Sequence, residues 1–177
     1  MGKADVFERM RADHRYVLRE ISILDRAAER GHEREAGSEW PGDPAIRVLD
    51  MLTRQFETHM AAEDEVLFPA LAEALPQTRI SLEPLAADHA ALRGMLRSLK
   101  RLLMEPAGRV RDEQIGIDLR DFVDLLRIHI RKEEAVVIGV AERMLQPREV
   151  EALAARMVSG RSDRAGSEGA HGKGERS

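Results

Sequence analysis

Two stretches of this chain set a histidine and a glutamate one helical turn apart: His59 with Glu63 in HMAAEDE, and His129 with Glu133 in HIRKEEA. Both pairs interrupt stripes that are otherwise apolar. Ala45, Leu49, Leu52 and Phe56 lead into the first, which runs on through Val66 and Ala70; Ile115, Leu119, Phe122 and Leu126 lead into the second, which continues through Val136, Val140 and Met144. Steps of three and four keep such residues on one helical face. His14 and His89 interrupt two further stripes, one through Met10, Val17, Ile21 and Leu24 and the other through Leu85, Leu92, Leu96 and Leu99. Buried carboxylates and imidazoles are costly unless charge and hydrogen-bonding capacity are both met. Two divalent or trivalent metal ions would meet them, with four neutral imidazoles giving two nitrogens per ion and two carboxylates able to bridge. Imidazole with carboxylate suits iron, manganese or zinc, and helical bundles build such sites from facing helices. The alternative is a metal-free network in which His59–Glu63 and His129–Glu133 are satisfied pairs.

The elements that must position these residues are helices, since Ala, Leu, Arg and Glu dominate and strand signals are nearly absent. The first runs from about Asp5 to Arg30, with Gly31 as its stop. A connector rich in turn formers, 31–44, ends in Asp43–Pro44, a good cap and first-turn pair for a second helix reaching about Leu75. Pro69 inside it predicts a kink or local irregularity. The third helix starts near Ser81 and stops at EPAG, 105–108; the fourth starts near Arg111. Short connections make neighbours antiparallel, so the expected fold is all-α: an up-and-down four-helix bundle over 1–158. It includes a short fifth helix packed on its outside after Pro147, and a disordered tail follows over 159–177.

HMAAEDEVLFPALAEAL and HIRKEEAVVIGVAERML match in register, placing His59 opposite His129, Glu63 opposite Glu133 and Pro69 opposite Gly139. ADH recurs at 12–14 and 87–89. The first helix pair therefore looks like a rough copy of the second, related by a pseudo-twofold axis.

Composition narrows the function. The 177 residues contain no cysteine, which removes thiolate zinc sites, iron–sulfur clusters and cysteine nucleophiles. A net charge of −4, with 28 basic and 32 acidic residues interspersed, gives no nucleic-acid footprint. AVVIGVA, 135–141, is the longest purely apolar run and is too short to span a bilayer. The expectation is a soluble, cytoplasmic protein with no nucleic-acid or membrane partner; no protein partner can be named.

The order His, HxxxE, His, HxxxE on four successive helices, carried by ADHR, HMAAEDEVLFPAL, ADHAALR and HIRKEEAVV, resembles the hemerythrin-like (HHE cation-binding) family over about residues 5–145. The resemblance implies a non-haem di-iron centre with an oxo or hydroxo bridge, ahead of manganese or zinc. It makes His14, His59, His89 and His129 terminal ligands and Glu63 and Glu133 bridges. It also implies small ligands as partners: dioxygen, nitric oxide or peroxide. The implied role is sensing or reacting with them, with di-metal enzyme chemistry or iron–sulfur repair as alternatives and a metal-free interaction module as a third class. Oxygen carriers of the family have a fifth histidine one turn after the third-helix ligand, where this chain has Arg93. That departure points away from reversible oxygen carriage. The carriers also place their last carboxylate five residues after the histidine, which would be Glu134; periodicity selects Glu133. Asp13 and Asp88 are read as part of solvated helix faces, with acceptance of ring N–H groups as their second possible role. Tyr16 is read as edge packing, Trp40 as a cap on the bundle end.

Overall fold

The computed structural model describes residues 3–30 and 43–156, and every element among them is helical. Helix α1 is Lys3–Arg30. Helix α2 is made of Asp43–Met51, Glu57–Ala62 and Phe68–Ala74, joined by π-helical turns at Leu52–Phe56 and Glu63–Leu67. A 3₁₀ turn at Pro76–Thr78 leads into α3, Arg79–Met104, two residues earlier than the turn signals suggest. Thr78 closes that corner by donating its hydroxyl to the Leu75 carbonyl at 2.7 Å, which caps a C-terminal carbonyl of α2. Helix α4 begins at Arg109 and passes through a π turn at Glu134–Ile138 into Gly139–Met144. Helix α5 covers 147–156. Gly31, His32 and Trp40 in the connector, the tail with His171, and the capping side chain of Asp43 lie outside the described residues.

Helix α1 packs on α2 and α4, and α3 packs on α2 and α4, which is the up-and-down bundle. Its core has two apolar parts. On each long helix one residue of the first part and one of the second flank a polar stripe residue: Met10 and Val17 flank His14 on α1, Met60 and Leu67 flank Glu63 on α2, Leu85 and Leu92 flank His89 on α3, Ile130 and Val137 flank Glu133 on α4. Between the two parts lies a layer made of His14, His59, Glu63, His89, His129 and Glu133, all buried. Helix α5 adds Val150 and Leu153, buried with the second part of the core.

The stripes behave differently after the glutamates. The periodicity predicts Val66 and Ala70 on the core face of α2, and Val136, Val140 and Met144 on that of α4. In the structure Leu67, Leu71, Val137, Ala141 and Leu145 are buried instead, and Met144 is half exposed. A π turn holds one residue more than an α turn, so the turns that begin at Glu63 and just after Glu133 each slide the inward face on by one position.

Candidate metal centre

Regular α geometry between His59 and Glu63, and between His129 and Glu133, keeps each pair on one face, and the π turn then starts at once. Ligand-type atoms of His14, His59, Glu63 and Glu133 lie within 4.8 Å of one another, as do those of Glu63, His89 and His129. Glu63 belongs to both groups. Glu133 also reaches both, with Oε2 at 3.2 Å from His14 Nε2 and 3.5 Å from His129 Nε2. His14 Nε2 faces His59 Nε2 at 3.1 Å, and His89 Nε2 faces His129 Nε2 at 3.0 Å.

The outward nitrogens are turned toward a ring of carboxylates. His89 Nδ1 lies 2.7 Å from Asp64, His14 Nδ1 3.2 Å from Glu134 and His59 Nδ1 3.4 Å from Asp13. His129 Nδ1 faces Asp88 at 3.7 Å, beyond hydrogen-bond length, while Lys132 holds Asp88 at 3.1 Å. A carboxylate at Nδ1 calls for an N–H there, which leaves Nε2 of the neutral ring as a bare lone pair. Two such lone pairs at 3 Å need something positive between them. The glutamates need it too, since both oxygens of Glu63 and both of Glu133 are buried with no hydrogen-bond partner among the described residues. The 2.6 Å approach of His59 Nε2 to Glu63 Oε1 is a charge contact whose alignment does not suit N–H donation.

Without a metal the layer is electrostatically uneven. Burial works against charge on His59, but Glu63 and Asp13 outweigh it and push the imidazole up to about 10. Burial, then repulsion from Glu133, raises Glu63. Burial acts in the same upward direction on Glu133, yet His129 and His14 hold it well below the usual carboxylate range. Phe56 stacks on the His59 ring and Phe68 on the His89 ring, each with centroids 5.5 Å apart. A cavity of about 370 Å³ between α1 and α2, lined by Asp13, Tyr16, Val17, Met51, Arg54 and Phe56, reaches His59 from outside.

The model of one protein family, the hemerythrin HHE cation-binding domain, matches residues 5–141. The chain belongs to this family. No curated protein and no solved structure matched it.

In this HHE chain all six residues singled out in the sequence, His14, His59, Glu63, His89, His129 and Glu133, converge on one buried layer. Glu133 is inside that layer; Glu134 is partly exposed and, among the described residues, meets it through His14. Asp13 and Asp88 are not merely solvated: each turns to the imidazole of the following helix, His59 and His129. Asp64 and Glu134 as outer acceptors escaped the sequence reading. The repeat carried the signal, since each directly follows its glutamate, but which neighbouring helix it would meet depends on packing.

Proposed function

We propose that this chain is a non-haem di-iron protein whose buried centre binds oxygen, nitric oxide or peroxide and senses or reacts with it, in a cytoplasmic setting. The observation that supports this best is the layer itself: four Nε2 atoms and four carboxylate oxygens facing inward, with the outward nitrogens turned to acidic residues. His14 and His59 would hold one ion and His89 and His129 the other, with Glu63 and Glu133 shared between them. Iron bound there would supply a redox-active, Lewis-acidic pair of positions for a small ligand. The protein's own part is to keep His14, His59 and His89 in the binding tautomer through Glu134, Asp13 and Asp64, with Asp88 facing His129 from further off. Phe56, Phe68 and the two apolar parts of the core keep bulk water away. The cavity against His59 gives small molecules an approach. Arg93, which cannot ligate, stands where oxygen carriers have a fifth histidine, and this favours a sensor or scavenger over a carrier.

Metal analysis tests the reading. Protein purified from iron-replete cells is expected to hold about two iron ions per chain, with near-ultraviolet charge-transfer absorption that shifts on adding nitric oxide or azide. His59→Ala and Glu63→Ala should each lower the iron content. Metal no higher than background in the wild-type chain would end it in favour of a metal-free bundle, and manganese or zinc in its place would change the ion and remove the redox role.

A further inference from the structure

Arg93 lies one turn after His89 on α3 and reaches across to α2. Its Nε donates to Glu57 Oε1 at 2.8 Å and its Nη1 to Asp64 Oδ2 at 2.8 Å. The other oxygen of Asp64, Oδ1, is 2.7 Å from His89 Nδ1. An unbroken chain of charge-assisted contacts therefore runs from Glu57 through Arg93 and Asp64 to an imidazole whose Nε2 faces the centre. Asp88, which faces His129, is likewise held by a cation, Lys132.

The other half of the internal repeat is built differently. Leu18 stands one turn after His14 where Arg93 stands after His89. Arg127, at the position matching Glu57, turns away to pair with Asp25 at 2.6 Å. Glu134, matching Asp64, meets His14 Nδ1 at 3.2 Å, and His14 is its one ion-pair partner among the described residues. His14 is thus oriented by a carboxylate in ion-pair contact with no arginine or lysine among the described residues, Arg11 acting on it only through space from its own pair with Glu142, and His89 by one held on one arm of a guanidinium fork whose other arm is on Glu57. The fork matters because its donors are planar and pre-arranged, so holding Asp64 costs little further ordering.

We propose that Arg93 is a positioning residue that, by fixing Asp64, locks His89 and makes the His89–His129 half of the centre the retentive half, so that the ion at His14 and His59 leaves first. This rests on the metal-centre reading above. Outer acceptors of ligating histidines are commonly worth 10-fold to 100-fold in metal affinity.

The test follows removal of iron from the reduced, iron-loaded full chain by a ferrous chelator whose complex absorbs light. Wild-type protein should lose its iron in two phases of equal size. Arg93→Gln and Asp64→Asn should each speed the slow phase by about tenfold and leave the fast one alone, and Arg93→Lys, with one donor group in place of a fork, should fall between. Glu57→Gln cuts only the outer anchor and should leave the slow phase near the wild-type rate. Melting of the metal-stripped proteins reads plain bracing: Arg93→Gln, which cuts both ties from α3 to α2, should fall further than Glu57→Gln, which cuts one, while only Arg93→Gln should change the slow phase. Iron release that is unchanged in Arg93→Gln, or that Glu57→Gln alters as much as Arg93→Gln does, would overturn the proposal while leaving the metal centre intact. A wild-type chain that binds no metal would overturn both.

Discussion

Glu133 and Glu134 are chain neighbours whose side chains face different surroundings. Glu133 points into the layer with both oxygens buried, whereas Glu134 lies on the outer side of His14. Glu133→Ala is therefore expected to remove most of the bound metal. Glu134→Ala should keep the full complement when metal is in excess but weaken binding by about 10-fold to 100-fold, since His14 loses its Nδ1 acceptor; metal content and competitive titration read the two effects. The same layer gives the metal-stripped protein an unusual pH dependence. His59 is raised to about 10 in the folded state, so the stability it lends is complete below its unfolded value near 6.5 and is lost as pH climbs through about 10. Glu63, also raised, acts with the same sign from lower pH upward. Melting temperature of the stripped protein should then fall between about pH 6.5 and 10. Metal-loaded protein should show no such fall, and from acid toward neutral it should gain, because ligands must shed protons to bind. Parallel curves for the two forms would contradict this.

At the scale of the element, the π turns set the inward register. The turn at Glu134–Ile138 is closed by the Gly139 N–H donating to the Glu134 carbonyl, and the turn at Glu63–Leu67 by Phe68 donating to Glu63. One begins on its glutamate and the other directly after it, although one copy is followed by Pro69 and the other by Gly139. Proline alone therefore does not account for them. Each turn lets the apolar face continue one residue out of step with the α period while the preceding His–Glu pair keeps its α spacing. Gly139 is tied to that geometry, because a Cβ there would sit 3.3 Å from the Glu134 carbonyl oxygen, a backbone atom already fixed in the turn. In an ordinary exposed helix Gly→Ala stabilises by about 0.5–1 kcal/mol. Gly139→Ala should miss that gain, leaving denaturant stability unchanged or lower; a clear rise would mean that the turn yields easily.

Across the whole molecule, the polar layer separates two apolar parts that would otherwise be one core. The second part is finished by α5 through Val150 and Leu153, and Arg11 with Glu142, at 2.6 Å, ties α1 to α4 beside it. Leu153→Ala leaves a hole at this end and should cost about 2–5 kcal/mol of unfolding free energy, with metal content preserved because the centre lies beyond the cavity. Loss of metal together with stability would show that the cap and the centre open as one unit. No helix among the described residues is long and apolar enough to cross a membrane, in keeping with the short apolar run at 135–141.

Sequence alone determined the four amphipathic helices, the six polar residues on their inner faces and the placement of Glu133, in preference to Glu134, on the buried face. Periodicities of three and four survive in any helix that buries one side, and a carboxylate on such a stripe is conspicuous because it is costly. It also expected an irregularity at Pro69, where the structure has a π turn that ends just before it, at Leu67. What it could not supply was the register beyond each glutamate, since a π turn depends on backbone hydrogen bonds that leave no mark in the apolar period. Nor could it pair the outer carboxylates with their imidazoles. Asp13 meets His59, Asp64 meets His89, Asp88 faces His129 and Glu134 meets His14, in every case across to another helix. Those pairings, and the Arg93 fork that distinguishes one half of the centre from the other, depend on how neighbouring helices rotate and slide against each other. Packing of the two apolar parts fixes that, and no single helix encodes it.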